Sequence, residues 1–549
     1  MSLDIENRWI FLGVILIGLF GLLSCKEESK SNATIFRMNM AEGLETTDPA
    51  FAKSKTVIWV DHQLYNTLVK TDPQLHIIPS LAKSWEVSED GKIFTFHLRT
   101  DVYFHDNKSF KGGNGRKMVA SDVVYSFKRI MDPETASAGA WVFNGKVDPD
   151  VGFVALNDST FQLKLLKPFH PILGILTMPY CSIVPKEVVE KYGKDFRSHP
   201  CGTGPFQLKY WNEGQVLILE KNPHYFEKDS SGHSLPYLDA VKVTFVSSKV
   251  TEFLMFVQGE LDFLNDVDVS YKDELLTKSG RLQKSFRDNI IMLQEPYLNT
   301  EYLGFLVDST NTNVIHSPVT NRKVRLAINY GFDREKIAMY LKNNIVEPAY
   351  GGFVPDGLPA YDTSEVKGYH YNSSKARKLL AAAGYPDGQG LPPITLYSTQ
   401  EHADVANLVA AQLRQIGVVI NVTIEQAGML RDMAAKSQIP FFRADWIADY
   451  PDAESFLACF YSKNPAPPNY SRFSNATFDR LYERAITENN DSIRHHLYHK
   501  MEHIVLDYAP VVPLYYDESV MFIHPWVKGV ENNALGLLVL ENIRINKSK

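Results

Sequence analysis

The chain has 549 residues, 44% apolar and 22% charged, proportions that exclude wholesale disorder and a multi-span membrane protein. Its 57 Lys plus Arg stand against 64 Asp plus Glu, and a net of −7 excludes the basic excess of a nucleic-acid binder. At about 150 residues per domain the length holds several domains' worth of core, and Phe, Tyr and Trp at 12% suffice to line a large cleft.

Residues 9–23 are uninterrupted apolar or Gly, between Arg8 and Ser24. That run falls short of the about 20 residues that span a bilayer and suits the apolar region of a secretory signal. It ends in Leu22-Leu23-Ser24-Cys25, which looks like a lipobox, so Cys25 is expected to carry the lipid. Residues 1–24 then form the signal peptide and 25–33 a tether. An exported body permits a disulfide, and Cys181 and Cys201, each beside turn-like sequence, are expected to pair and leave Cys459 over.

Beyond the tether, 35–40 reads as a strand and 61–69 as a helix. Alternation at Trp85, Val87, Phe94, Phe96 and Leu98 around Glu89-Asp90-Gly91-Lys92 reads as a hairpin. A Gly- and Lys-rich loop at 111–117 leads to a helix that Ser121 or Asp122 caps and Asp132-Pro133 stops. Strands surround 153–166 and 216–220, separated by a turn at 202–206. Two helical stretches fill 321–343, the second capped by Asp333.

From 371 the text becomes a repeating unit. A helix capped by Ser373 or Ser374 ends at Gly384 and Pro386. Strand 394–399, helix 403–416, strand 418–424, helix 429–437 and strand 440–446 follow. This alternation predicts a parallel sheet with right-handed crossovers. A hairpin-rich first half and an α/β second half predict two lobes, joined by more than one crossing, with a cleft between them. His495, His499 and His503 share a helical face, but Ile493, Leu497, Met501 and Ile504 mark the buried stripe of the same helix, so the histidines read as a solvated face.

The last strand of the repeat carries the charges. In Phe441-Phe442-Arg443-Ala444-Asp445-Trp446-Ile447-Ala448-Asp449, alternate side chains point to opposite faces. Phe442, Ala444, Trp446 and Ala448 share an apolar face, while Arg443, Asp445, Ile447 and Asp449 share the other. In open α/β sheets ligands bind at the carboxyl ends of strands. A short zwitterion suits these charges, with its ammonium on Asp449 and its carboxylate on Arg443. On pattern alone the blander reading is an internal salt bridge between Arg443 and Asp445, with Asp449 capping a turn. No phosphate loop, nucleophile elbow or zinc-protease motif occurs.

Several ordered segments resemble the family 5 solute-binding proteins of bacterial ABC importers. They include Gln63-Leu64-Tyr65-Asn66-Thr67-Leu68-Val69, Pro79-Ser80-Leu81-Ala82-Lys83-Ser84-Trp85, Ala120-Ser121-Asp122-Val123-Val124-Tyr125-Ser126-Phe127, Gly202-Thr203-Gly204-Pro205-Phe206, Asn222-Pro223-His224-Tyr225-Phe226 and Ala509-Pro510-Val511-Val512-Pro513-Leu514-Tyr515. The resemblance implies an α/β, two-lobed periplasmic-binding-protein-like fold of class II, cluster C, with mixed sheets and a ligand cleft between lobes. It divides the body into a lobe 1 core of 34–75, 200–297 and 515–549, an extra subdomain of lobe 1 at 76–199, and lobe 2 at 298–514.

In that family a Trp-x-x-Asp stretch carries the acid that binds a peptide's α-amino group, which here is Trp446-Ile447-Ala448-Asp449. Arg443, six residues earlier, stands where oligopeptide members meet the peptide carboxylate, although the family usually has a small residue at Asp445. The ligand-binding set implied is Asp449, Arg443, Trp446, Asp445 and Ile447. The protein is expected to be a monomer, not an enzyme, with neither cofactor nor metal. It would be lipid-anchored on the periplasmic side of the envelope or displayed at the surface, passing short peptides to ABC transporter permease subunits. The alternatives are a nickel chelate, haem, an opine or a sugar on the same scaffold, and a surface hydrolase.

Overall fold

The computed structural model describes residues 33–546 apart from 269. The expected signal peptide, the Cys25 lipidation position and nearly all of the tether lie outside the described residues. Among the described residues no helix is long and apolar enough to cross a membrane.

Three sheets organise the body. One runs in the order Ile35–Asn39, Ala240–Thr244, Val216–Lys221, Phe206–Asn212, with the first pair parallel and the others antiparallel. A second, all antiparallel, orders Ala82–Val87, Ile93–Leu98, Thr160–Lys164 and Phe153–Asn157. Phe94, Phe96 and Leu98 are buried and their neighbours half-buried, the alternation of a sheet with one face on the core. The third is seven-stranded: Phe263–Asn265, Val511–Ile523, Ile291–Phe305, Phe441–Ile447, Ile394–Ser398 and Ile420–Ile424, with Val346–Pro348 also on Val511–Ile523. Ile394–Ser398 lies parallel to both Ile420–Ile424 and Phe441–Ile447, as the repeat predicts.

Apolar burial falls into two large cores. One gathers Phe36, Phe96, Phe127, Leu217 and Val243 together with Met521 and Leu538, and the other gathers Leu303, Ile328, Leu396, Phe441, Phe460 and Met501. The two long antiparallel strands Ile291–Phe305 and Val511–Ile523 run from one core into the other. Their ladder loses register between Pro296 and Thr300, where Pro brings no N–H to the pairing. The architecture is the two-lobed mixed α/β one read from the sequence.

Some expectations fail locally. The first long helix is Lys55–Leu64, not 61–69, and Val69 opens a strand. Thr56-Val57-Ile58 hid its first turns because branched side chains read as strand. Tertiary contacts override that preference: Val57, Val60 and Leu64 are buried, and the Trp59 indole donates to the Gly536 carbonyl at 2.8 Å. Helix Ala120–Met131 starts earlier than expected, with Val119 at the cap and the Asp122 carboxylate accepting from Val119 N at 2.9 Å. Asn372, rather than Ser373 or Ser374, caps Ser373–Ala382. On Asp491–Tyr508 the buried stripe is rotated: Arg494, Leu497, Tyr498, Met501 and Glu502 are inside and Ile493 is exposed.

The expected Cys181 to Cys201 disulfide is also corrected. Both are free, buried thiols. Cys181 Sγ donates to the Ile175 carbonyl at 3.5 Å and Cys201 Sγ to the His105 carbonyl at 3.4 Å. Each S–H is thus satisfied by a different carbonyl in the apolar core, and burial pushes both thiols far above the usual cysteine range.

Candidate functional site

Strand Phe441–Ile447 begins buried on both faces at Phe441 and Phe442, is half-buried from Arg443 to Trp446 and ends exposed at Ile447. It lies antiparallel to Ile291–Phe305, pairing Leu303 with Arg443, Glu301 with Asp445 and Asn299 with Ile447. Directly opposite residues share a face. Ala448 N donates to the Leu298 carbonyl at 2.9 Å and Leu306 N to the Pro440 carbonyl at 3.0 Å, which commits the even-numbered backbone groups to that neighbour. The Asp445 and Ile447 backbone groups therefore point the other way. On that side Ile394–Ser398 pairs only once, Tyr397 with Phe442. Among the described residues the strand thus leaves an open edge of unpaired donors and acceptors just where its charges lie.

Arg443 is clamped. Its Nε and Nη2 donate to the two oxygens of Glu301, the second at 2.5 Å, and its Nη1 meets Asp445 at 2.8 Å. Nη2 also donates to His402 Nε2 at 3.1 Å. That leaves the proton of the neutral ring on Nδ1, which donates to Thr399 Oγ1 at 3.0 Å. Burial, with Arg443 beside it, lowers the His402 pKa to about 3. Burial raises Glu301 to about 7 despite Arg443, since Asp517 and Asp445 also repel its charge. The internal Arg443 to Asp445 pair that the sequence permits is present, and Glu301 joins it.

Asp449 lies past the strand, on the turn into Glu454–Leu457. Its flanks are held: Ala448 and Tyr450 are buried, and Tyr450 hydroxyl donates to buried Glu454. Asp452 accepts from Arg494 at 2.5 Å and from the Tyr498 hydroxyl at 2.8 Å. Tyr450 joins the first core while Ala448 and Ala453 join the second, so this turn sits where the cores meet. The Asp449 backbone N donates to Ser455 Oγ at 3.3 Å, but its carboxylate has neither hydrogen-bond nor ion-pair partner among the described residues. The carboxylate reaches solvent, yet protein crowds it from most sides, and that desolvation raises it to about 6.

On the strand's other face, Trp446, Phe442 and Tyr470 line a cavity of about 120 Å³ rimmed by Arg431 and Asp445. The Trp446 Nε1 is buried without a partner among the described residues. Among the described residues no cluster of three or more His, Cys, Asp or Glu is suited to a metal ion.

The strand, its two faces and its charges stand as the sequence places them, except that Asp449 sits on the following turn. Sequence reasoning missed Glu301, Asn299 and Asp517, which the long central strands bring to the same face. Asn299 Nδ2 donates to Asp517 at 2.5 Å. The available signal was a lone acid within an otherwise uncharged strand-like run, Thr300-Glu301-Tyr302-Leu303.

Residues 76–468 match the family described as bacterial extracellular solute-binding proteins, family 5 Middle. The periplasmic oligopeptide-binding protein OppA of Salmonella typhimurium is 28% identical over 536 residues, covering 94% of this chain and 93% of that protein. The heme-binding protein A of Haemophilus influenzae is 29% identical over 500 residues, covering 86% and 85%. Among solved structures, the periplasmic binding protein DppA from Helicobacter pylori in complex with the peptide STSA superposes with a TM-score of 0.72 at 26% identity, covering 94% of this chain and 99% of that one.

Proposed function

The chain belongs to the bacterial extracellular solute-binding proteins of family 5, and from that premise we propose that it captures short peptides between its lobes and delivers them to an ABC importer. Asp449, an unpaired carboxylate at the end of an open strand edge, is the observation that supports this reading. A peptide's ammonium gives that carboxylate the partner it lacks, a charge-assisted hydrogen bond worth about 1.5–3 kcal/mol. The Asp445 and Ile447 backbone groups then pair with an extended peptide as an added strand. Such bonds do not read side chains, and pockets such as the one beside Trp446 receive them.

Closure bends the chain where the two long strands lose register, between Pro296 and Thr300. The protein performs no chemistry on its ligand and acts as a monomer, held at the envelope through a lipid on Cys25. Calorimetric titration of ligand-stripped protein with a mixed tri- to pentapeptide pool tests the reading. Saturable heat supports it, and neither heat nor thermal shift from any peptide overturns it. Native mass spectrometry of the protein as purified identifies a non-peptide ligand if one is carried instead.

A further inference from the structure

The ion pairs on the cleft face decide which ligand group that face receives. Arg443 spends its donors on Glu301, on Asp445 at 2.8 Å and on His402 at 3.1 Å. The Glu301 side chain is only 2% exposed. A ligand carboxylate taking the guanidinium would strand that buried charge without its partner. The face around this clamp is acidic. Asp445 flanks Arg443, Asp517 accepts from Asn299, and Asp266 adds to the field on Asp517. The opposing cations on this face are Arg443, Lys342 near Asp517 and Lys55 near Asp266, with Arg431 at the rim of the small cavity on the strand's other face, so four carboxylates including Glu301 stand against three cations.

An independent feature asks for a donor at the same place. Asn299 is 6% exposed, and its Oδ1 accepts from no group among the described residues. Its Nδ2 is committed to the Asp517 carboxylate, which fixes the amide's orientation and leaves the acceptor turned elsewhere. Asn299 lies opposite Ile447, on the face that carries Arg443, Asp445 and Glu301. An orphan acceptor beside surplus carboxylates suits a positively charged N–H donor.

We propose that the floor formed by Asp445, Asn299, Asp517 and the Arg443 to Glu301 clamp takes a cationic side chain of the ligand, an ammonium or a guanidinium, and does not bind the ligand's terminal carboxylate. The proposal rests on the reading of the cleft as a peptide site. Asp445 lies four residue steps before Asp449, at most about 13 Å since the strand ends at Ile447. A peptide anchored at Asp449 by its ammonium therefore brings a side chain within two to four residues of its start over this floor.

The test uses alanine tetrapeptides carrying lysine, glutamate or no charge at the second, third or fourth position, each as free acid and as C-terminal amide, titrated calorimetrically. At the preferred position lysine is expected to bind at least tenfold tighter than glutamate, and amidation of the uncharged peptide to change affinity less than twofold. Glutamate binding as tightly as lysine at every position, or a tenfold loss on amidation, overturns the proposal while leaving the peptide reading intact. If no tetrapeptide binds while the mixed tri- to pentapeptide pool does, this inference falls and the peptide reading stands; if neither binds, both fall. In Glu301→Gln, which frees Arg443, the free acid should gain at least fivefold over the amide. Asp445→Asn, at a part-exposed position, should lose at least threefold of the lysine preference even if the first variant does not fold.

Discussion

Replacing Asp449 by Asn tests the anchor through protons rather than through affinity alone. In the free protein desolvation holds this carboxyl at about 6, with no cation paired to it among the described residues. A ligand ammonium stabilises the ionised form and returns the group to its ordinary value of about 3.9 or below. The free pKa lies above the bound one, so the free protein holds a proton that binding must expel, and affinity falls as pH drops through the free pKa. At pH 5 only about one free molecule in eleven is ionised, which makes the dissociation constant about tenfold larger than at pH 7.5, or about 1.4 kcal/mol. Because Asp449 keeps contact with solvent, screening trims the effect, and a loss of about three- to tenfold is expected. Above about pH 8 the ligand's own ammonium deprotonates and affinity falls again.

Calorimetry of an uncharged tetrapeptide at pH 5, 6 and 7.5, in two buffers of different ionisation enthalpy, reads both the affinity and the protons released. Wild type should release a proton at pH 5 and almost none at pH 7.5. Asp449→Asn should bind more weakly at pH 7.5 and show a flat profile below it. An acid-side fall that persists unchanged in Asp449→Asn refutes the assignment.

Three further outcomes are expected. Asp61 is buried with neither carboxylate oxygen paired among the described residues, and desolvation raises it well above the usual range; Asp61→Asn should therefore stabilise the fold at pH 7.5 by about 1–3 kcal/mol, less at pH 4, as read by urea denaturation. Glu502 accepts from Phe353 N at 2.7 Å and Val354 N at 2.9 Å, yet burial raises it to about 7. Since the folded value exceeds the unfolded one, its stabilising contribution is complete below about pH 4.5 and is lost as pH rises through 7, so the Tm of wild type should drop relative to Glu502→Gln between pH 5 and pH 8. The thiols of Cys181, Cys201 and Cys459 are free and buried, so a body lacking residues 1–25 should keep its Tm in reductant and react with a thiol reagent only after unfolding.

Most of what was legible in the sequence is local. Strands and helices from 394 to 446 follow from periodicity and from stops such as Gly384, whose φ of +96° suits a residue without a side chain. Asp333 caps its helix as expected, its side chain accepting from Glu335 N. The failures are places where distant residues decide. Lys55–Leu64 is helical because Trp59 and Gln63 reach the 536–538 carbonyls, more than 470 residues away, and no window around Thr56-Val57-Ile58 contains that. The cysteines fail for the same reason, since spacing in sequence says nothing of which carbonyl each S–H will find.

The site divides along that line too. The unpaired state of Asp449 was legible because it depends on what the local chain withholds: it follows a strand, flanked by buried Ala448 and Tyr450, and no cation among the described residues pairs with it. Arg443 was legible as a charge but not as a partner, because its clamp comes from a strand 142 residues earlier. A motif places a guanidinium, whereas the pairing of strands decides whether it remains available. Had Glu301 been apolar, Arg443 would face the cleft with only Asp445 opposing it, and a ligand carboxylate would compete with one half-exposed partner. With Glu301 in the register opposite Asp445, the same guanidinium is spent on holding two strands together. Which groups this face offers a ligand is thus set by residues on the central long strands as much as by the strand that carries the motif.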